Sequence, residues 1–281
     1  MIVAHSLLNL NMIPEHIQNR KGARSFADLD QEVIEYLNKG LIETANLMEW
    51  LATDQLALLK LVLKEINRED WFEVFYEAVN AQKKPSANSN TKVIGQTFAT
   101  LTQDRQIIDH LKKHTSDIPR CWATYASALI GVKDVSELLK NIKPYAADTH
   151  FGVREVAIFA VKDFLIEDLD KATNILSGWT SDKDENIRRF AAEVIRPVGV
   201  WVKKIKALQD DPQRGLKVIS PLKSDSSKYV RDSVGNWLND ASKSQPRWVE
   251  ALCKQWESES KTKETAYIIK KAMRTIIKNK I

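Results

Sequence analysis

Three acidic side chains, Glu155, Glu193 and Asp240, stand out because they lie in or beside a basic part of the sequence. From Asn186 onward the chain carries 21 Lys and Arg against 10 Asp and Glu, a net charge of +11, whereas residues 1–150 carry 17 against 19. A basic stretch of this kind favours an anionic partner such as a nucleic-acid backbone. Carboxylates inside it are suited to stabilising positive charge and positioning water. The alternative for the charge is a solvated, lysine-rich surface.

A recurring pattern in the second half of the chain indicates helical repeats. Each copy places an Asp five residues before a β-branched residue that is followed by Arg. The copies are Asp148…Val153-Arg154, Asp182…Ile187-Arg188 and Asp225…Val230-Arg231, with a weaker one at Glu264…Ile269-Lys270. They start 34, 43 and 39 residues apart, which is the period of HEAT-type helical pairs. The pattern predicts an all-α fold, an α-solenoid of HEAT-like repeats, in which Asp caps a helix and Arg reaches carboxylates between repeats.

The repeat register predicts that the three acids share one face. With the β-branched residue counted as zero, apolar residues occupy positions 0, 3, 4, 7, 8 and 11, whereas Glu155, Glu193 and Asp240 occupy positions 2, 6 and 10. Steps of four residues keep a helical face, so we expect these acids to line one groove. Each acid has a structural alternative. Glu155 would favour the helix dipole in a first turn, Glu193 would pair with Arg189 or Arg196, and Asp240 would cap the next segment.

The N-terminal third is predicted to form a separate helical region. Residues 82–91, QKKPSANSNT, are polar and resemble a linker. We therefore expect an N-terminal helical region over 1–92 and the repeat solenoid over 93–281. Apolar periodicity in the first region predicts helices that start near residue 26, with Gly40 as a stop, and that cover 41–51, 54–66 and 71–80.

Composition excludes several classes of protein. The 281 residues include only 9 Gly and 8 Pro, which argues against a turn-rich β-sandwich or barrel and against a Gly-rich nucleotide-binding sheet. A hydrophobic share of 43% and a charged share of 28% argue against disorder and against a membrane protein. Two distant cysteines, Cys121 and Cys253, predict reduced thiols and a cytoplasmic location. Neither cysteine has a nearby histidine to activate it, which argues against a direct methyl-transfer enzyme. The five histidines form no metal-binding pattern, which argues against an iron-dependent demethylase, and we expect no metal and no cofactor.

Three motifs in order resemble a known family. The segment Arg188–Trp201 contains Glu193-Val-Ile-Arg196-Pro197 and then Trp201, and resembles the Glu-x-x-Arg-Pro…Trp signature of AlkC-type DNA glycosylases, which belong to the HEAT-like-repeat AlkC/AlkD superfamily of DNA alkylation repair. Val234–Asp240, VGNWLND, is similar to the family's Val-Ala-Asn-His-Leu-Asn-Asp segment, with Trp237 in place of the histidine. Residues 267–280 resemble its C-terminal repeat helix. The resemblance covers about residues 148–280.

The resemblance implies an enzyme that hydrolyses the N-glycosidic bond of cationic alkylated bases in double-stranded DNA: 3-methyladenine and, for the AlkC branch, 3-methylcytosine and 1-methyladenine. It places Glu193 and Asp240 as catalytic acids, with Glu155 as the candidate for a further acid one repeat earlier. Trp201 and Trp237 would contact the damaged base. The basic residues expected to bind the DNA backbone are Arg188, Arg189, Arg196, Lys203, Lys204, Lys228, Arg231, Lys243 and Arg247. We expect a monomer and no membrane partner.

An alternative of another class is a non-catalytic HEAT-repeat scaffold that binds DNA or protein. A scaffold explains the repeats and the charge, but it leaves the acids and the Arg-Pro…Trp segment without a role. The tryptophans leave the same choice open. Five of them lie within residues 179–256, where they could stack on bases or pack between helices.

Overall fold

The computed structural model describes residues 13–200 and 202–279. Within these residues the regular structure consists of α-helices and short 3₁₀ turns, with no β-strand. The predicted all-α, helical-repeat fold is confirmed. The chain forms two compact units. The first comprises the described residues up to Ile130 with His150–Val156, and the second comprises Gly131–Thr149 with the described residues from Ala157 onward.

The first unit contains the N-terminal helices. In chain order they are α1 (Glu15–Gln18), α2 (Gln31–Asn38), α3 (Leu47–Ala52), α4 (Gln55–Glu65), α5 (Phe72–Asn80), α6 (Ala87–Leu101), α7 (Arg105–Lys112) and α8 (Asp117–Ser127). Side chains fix where most of them begin: Asp54, for example, accepts hydrogen bonds from the amides of Leu56 and Ala57 at 3.0 Å each. Residue 92, the predicted boundary, lies within α6, and the two units do not divide there. The start of the repeat solenoid at residue 93 stays a prediction.

Local turn chemistry moves several of the predicted helix ends. Residues 26–28 form a 3₁₀ turn, and the helix expected there begins at Gln31. The helix expected over 41–51 begins only at Leu47, because Asn46 caps it through the amide of Glu49. Half of the expected linker 82–91 is helical, because Ser86 and Ser89 form a reciprocal cap at the start of α6. Gly40, with φ +70°, follows the end of α2 as expected.

The second unit contains the predicted repeats. Helix α10 (Phe151–Glu167) begins in the first unit and ends in the second. The other helices are α9 (Val135–Ala146), α11 (Leu169–Trp179), α12 (Glu185–Val194), α13 (Lys206–Asp210), α14 (Leu216–Ile219), α15 (Lys228–Ala241), α16 (Pro246–Glu259), α17 (Lys263–Ala272) and α18 (Arg274–Lys278). Helix α12 packs against α15, and α15 packs against α17. Ile187 and Val230, the β-branched residues of two copies of the pattern, are buried in this stack.

In two copies of the repeat pattern, those of Asp182 and Asp225, the Asp precedes the cap instead of providing it. Asp184 caps α12 and Ser227 caps α15. Asp225 accepts a hydrogen bond from the amide of Ser227 at 2.8 Å, and its two carboxylate oxygens accept hydrogen bonds from Arg188 Nε and Nη2, at 2.7 and 3.0 Å. The expected capping role is thus corrected. The expected bridge between repeats is present, because Arg188 and Asp225 belong to consecutive copies.

The first unit contains a further arginine whose backbone hydrogen bonds match those of Arg188 and Arg231 in the repeats. Arg188 Nη1 donates to the carbonyls six and five residues before it, at 2.9 and 3.1 Å, and Arg231 Nη1 does the same at 2.8 and 2.6 Å. Arg120 Nη1 donates to the carbonyls of His114 and Thr115 at 3.0 and 3.2 Å, with the same separations. His114 and Pro119 stand where the pattern has Asp and a β-branched residue, so the sequence pattern does not reveal this copy.

Candidate active site

Glu193 lies at the end of helix α12, where local sequence sets its position. Asp184 caps the helix, and Ile187 and Phe190 anchor its buried side. Pro197 has no amide hydrogen and cannot continue the helix, so the chain leaves it after Val194. Glu193 is thus in the last turn, with its side chain 12% exposed.

Arg196 joins the two predicted catalytic acids. Its Nη1 donates to Glu193 Oε1 at 2.7 Å, and its Nε and Nη2 both lie 2.9 Å from Asp240 Oδ2. Glu193 is on α12 and Asp240 is on α15, so the guanidinium ties two consecutive repeats together. Burial works against the charge of Arg196, but the two carboxylates outweigh it and raise its pKa. The arginine therefore stays charged.

Asp240 is fully engaged by neighbouring groups. Besides Arg196, it accepts a hydrogen bond from the amide of Gly199 at 3.2 Å and from Lys243 Nζ at 2.9 Å. Only 3% of its side chain is exposed. In this arrangement Asp240 holds the loop after α12 and has almost no surface left for a substrate.

Glu193 keeps one carboxylate oxygen available. Oε1 binds Arg196, whereas Oε2 lies 4.0 Å from Arg189 Nη2, beyond hydrogen-bond distance. Among the residues that the structure describes, none donates a hydrogen bond to Oε2. The carboxylate of Glu193 thus lies beside two guanidinium groups, those of Arg189 and Arg196.

The loop after α12 is fixed at several points. The amide of Ile205 donates to the carbonyl of Pro197 at 2.9 Å, and the amide of Gly199 binds Asp240. Gly199 has φ +65°, a left-handed conformation that favours glycine. Trp201, predicted to contact the damaged base, lies in this loop but outside the described residues.

The structure corrects the role predicted for Trp237. Its side chain is fully buried, and its Nε1 donates to the carbonyl of Ile195 at 3.0 Å. A Cβ added at Gly215 would lie 2.5 Å from its ring, which shows how closely α15 is packed there. Trp237 is therefore a core residue that supports the end of α12 and does not contact a base in this structure. Trp179 and Trp256 are also buried.

The basic residues predicted to bind a DNA backbone fall into two groups. Arg188 and Arg196 are largely buried and bind carboxylates, and Arg189 is buried with its guanidinium 4.7 Å from the Tyr229 ring, so their assignment to the backbone is corrected. Arg231 binds carbonyls through Nη1 and lies over the Tyr267 ring. The remaining predicted residues are exposed: Lys203, Lys204, Lys228, Lys243 and Arg247. Of these, Lys228 pairs with Asp232, and Lys243 pairs with Asp240.

Glu155 belongs to the first unit, whereas Glu193 and Asp240 belong to the second. It is half-buried in the first turns of α10. A shared groove that includes Glu155 stays a prediction.

Lys162 is a site residue that the sequence analysis missed. It is 2% exposed, and its Nζ donates to the carbonyls of Val194 and Arg196 at 2.7 and 3.1 Å. A single lysine in the apolar stretch AIFAVKDFL of α10 was the available signal, but its partners lie 32 and 34 residues away.

Two further observations concern whether a cysteine or a metal ion takes part in the chemistry. Burial raises the pKa of the Cys253 thiol to about 11, so it remains protonated near neutral pH. In the described part of the chain, no group of three or more His, Cys, Asp and Glu side chains is arranged to hold a metal ion.

Comparison with known proteins finds a family model that matches the segment around this site. Residues 153–276, which include Glu193, Arg196 and Asp240, match the family model of the DNA alkylation repair enzymes. The match is to this segment of the chain, which is similar to that family. An uncharacterized protein of Bacillus subtilis strain 168, YhaZ, is 39% identical to the chain over 139 residues. That match covers 50% of this chain and 38% of YhaZ, so the chain spans well under half the length of this curated relative.

Solved structures of other proteins share the fold of this chain. The Pseudomonas fluorescens alkylpurine DNA glycosylase AlkC, bound to DNA that contains an abasic site analog, matches with a TM-score of 0.66 and 21% identity, over 91% of this chain and 66% of the AlkC chain. AlkD2 from Streptococcus mutans matches with a TM-score of 0.55 and 23% identity, over 72% of this chain and 94% of the AlkD2 chain. At these identities the likeness is one of fold. It agrees with the helical repeats predicted from the sequence.

Proposed function

We propose that this chain is a DNA glycosylase that removes cationic alkylated bases from duplex DNA. We expect 3-methyladenine as a substrate, with 3-methylcytosine and 1-methyladenine as further candidates. The observation that carries the proposal is the available oxygen of Glu193, which Arg196 bridges to Asp240, in a segment that matches the family model of the DNA alkylation repair enzymes. The DNA in the AlkC structure supports DNA as the partner. A monomeric state and a cytoplasmic location stay predictions; within the described residues, no helix has the length and apolar character to cross a membrane.

The chemistry needs few groups. A base alkylated on a ring nitrogen carries a positive charge, and it leaves as a neutral molecule when the C1′–N bond breaks and the electron pair moves to nitrogen. Little acid assistance is required for that step. The sugar is left as an oxocarbenium-like cation, which a carboxylate stabilises, and water then forms the new C1′–O bond. Glu193 can accept the proton that this water loses.

Glu193 and Asp240 take different roles in this proposal. Glu193 faces the substrate through Oε2. Asp240 acts as a positioning residue, because its oxygens hold Arg196, Gly199 and Lys243. A direct catalytic role for Glu155 stays a prediction.

Binding of the damaged duplex would use two kinds of contact. A base contact by Trp201 stays a prediction, and a cation–π contact would contribute about 0.5–2 kcal/mol. The exposed basic residues Lys203, Lys204 and Arg247 are suited to hold phosphates, with an affinity that falls with salt.

The test is an assay of base release. The purified chain is incubated with duplex DNA that has been treated with a methylating agent, and free bases are measured by mass spectrometry against untreated DNA. We expect release of 3-methyladenine. Absence of any methylated base, together with salt-sensitive binding to DNA that contains an abasic site analogue, would contradict the proposal and favour the non-catalytic scaffold.

A further inference from the structure

Lys162 is buried among apolar side chains, where a lysine is uncommon. It is 2% exposed, and its neighbours on α10, Val161 and Leu165, have no exposed surface. Moving an amine or ammonium group from water to such a place is costly unless it is hydrogen-bonded. The nitrogen therefore depends on the acceptors that it finds there.

Those acceptors lie at the end of helix α12 and just beyond it. Lys162 Nζ donates to the carbonyl of Val194 at 2.7 Å and to the carbonyl of Arg196 at 3.1 Å. The last carbonyls of a helix have no partner within the helix, and a basic side chain at that end also interacts favourably with the helix dipole. Both carbonyls follow Glu193 closely in the chain.

Charged groups of the candidate site face Lys162. They are Glu193, Arg196 and Asp240. Burial lowers the pKa of Lys162 to about 7, the arginine acts in the same direction, and the two carboxylates oppose it. The neutral amine and the ammonium both have at least two N–H donors, so both carbonyls can be satisfied in either protonation state.

We propose that Lys162 is a positioning residue that fixes the Glu193 carboxylate and the segments 195–200 and 202–205 by holding the carbonyls of Val194 and Arg196. Arg196 is thereby held at both ends, its backbone by Lys162 and its side chain by Asp240. The consequence for the reaction rests on the proposed glycosylase function, whereas the consequence for the loop does not. A displacement of about 1 Å in a catalytic group reduces a rate by roughly 100-fold, so precise placement matters here.

The experiment compares three variants. Lys162→Met keeps the length of the side chain and removes every donor. Lys162→Gln keeps one shorter donor group and serves as the milder change. Lys171→Met is the matched control, since Lys171 is a surface lysine of the same unit that pairs with Asp134.

The readout of loop position is amide hydrogen exchange measured by NMR. The informative amides are those of Gly199, which donates to Asp240, and Ile205, which donates to the carbonyl of Pro197. We expect Lys162→Met to speed exchange at both by about tenfold or more, with α17 unchanged, because the loop loses its anchor while the fold remains. Lys162→Gln should give a smaller increase, and it decides the question if Lys162→Met does not fold. Exchange at wild-type rates in the folded variants would overturn the proposal.

The readout of function separates positioning from binding. Single-turnover base release should fall by about 10- to 100-fold in Lys162→Met, whereas Kd for duplex with an abasic site analogue should change by less than about threefold. Equal losses in rate and affinity, or none, would overturn the positioning role. If the wild-type chain releases no base, the glycosylase proposal fails, while the exchange result still tests Lys162.

Discussion

At the scale of single residues, two carboxylates of equal charge have different surroundings. Asp240 is 3% exposed and accepts hydrogen bonds from three groups. Glu193 accepts a hydrogen bond from Arg196 at one oxygen and keeps the other oxygen available. A fully engaged carboxylate is well placed to fix geometry and poorly placed to meet a substrate. The chemistry proposed for the site therefore depends on Glu193, with Asp240, Arg196 and Lys162 as its supports.

Lys162 makes stability depend on pH in a specific direction. Its pKa in the folded chain is about 7, below the usual lysine value, so the unfolded chain binds more protons between about pH 7 and pH 10. The free energy of unfolding should therefore gain a contribution from this residue as pH rises through that window. We expect urea titrations to show that the wild type minus Lys162→Met difference increases from pH 7 to pH 10. A constant or decreasing difference would contradict the low pKa.

At the scale of helices, an arginine side chain joins consecutive repeats. Arg188 donates to two carbonyls before its own helix and, at the same time, binds Asp225 of the next repeat. This single side chain thus closes the turn before α12 and links it to the turn before α15. Its side chain is 14% exposed, so these interactions are only weakly screened by water.

Removing this link should destabilise the second unit. We expect Arg188→Met to reduce the free energy of unfolding by about 2 kcal/mol, since the variant lacks buried hydrogen bonds to a charged group and Asp225 keeps its charge. Arg214→Met is the control, because the Arg214 side chain is 35% exposed and that of its partner Asp170 is 71% exposed, so the pair should contribute less than about 1 kcal/mol. Chemical denaturation measures both, and equal effects would argue against a role of this link in holding the repeats together.

The sequence predicts the repeat helices well because their signals are local. Helices α12, α15 and α17 begin just after an acidic residue or a hydroxyl cap and bury the predicted β-branched or neighbouring positions. The copy at Arg120 was missed because His114 and Pro119 replace the two residues that define the pattern. The hydrogen bonds of Arg120 go to backbone carbonyl groups, which every residue provides, so no residue type in the sequence marks them.

The partners of charged residues were harder to predict, because they depend on tertiary contacts. Arg188 and Arg196 were assigned to a DNA backbone, yet they bind carboxylates 37 and 44 residues away. Lys162 was missed for the same reason, since no local pattern marks a lysine that reaches the end of another helix. Periodicity alone also does not distinguish a tryptophan that contacts a ligand from a core tryptophan such as Trp237.

At the scale of the molecule, charge is the feature that suits the chain to DNA. The described part of the second unit presents exposed Lys203, Lys204 and Arg247, whereas the first 150 residues carry a slight excess of acids. Binding to phosphates releases counterions, so a variant with fewer basic side chains at the phosphates should depend less steeply on salt.

Two lysines in the loop after α12 test this effect. We expect Lys203→Gln with Lys204→Gln to weaken duplex binding and to reduce the slope of log K against log salt by about 1–2. Lys83→Gln with Lys84→Gln removes the same charge from exposed residues of the first unit and should leave the slope unchanged. Fluorescence anisotropy over a salt series measures both. Equal slopes for the two double variants would contradict the assignment of the loop lysines to the phosphate backbone.

The most direct test of the proposed function is the rate of base release by Glu193→Gln. Glutamine keeps the shape of the side chain and an acceptor for Arg196, and it removes the charge. Glu185→Gln makes the same change on an exposed residue of the same helix and serves as the control. We predict that Glu193→Gln loses about 100-fold or more in single-turnover release of 3-methyladenine and still binds duplex with an abasic site analogue, while Glu185→Gln retains wild-type activity. Wild-type release by Glu193→Gln would contradict the assignment of this carboxylate to catalysis.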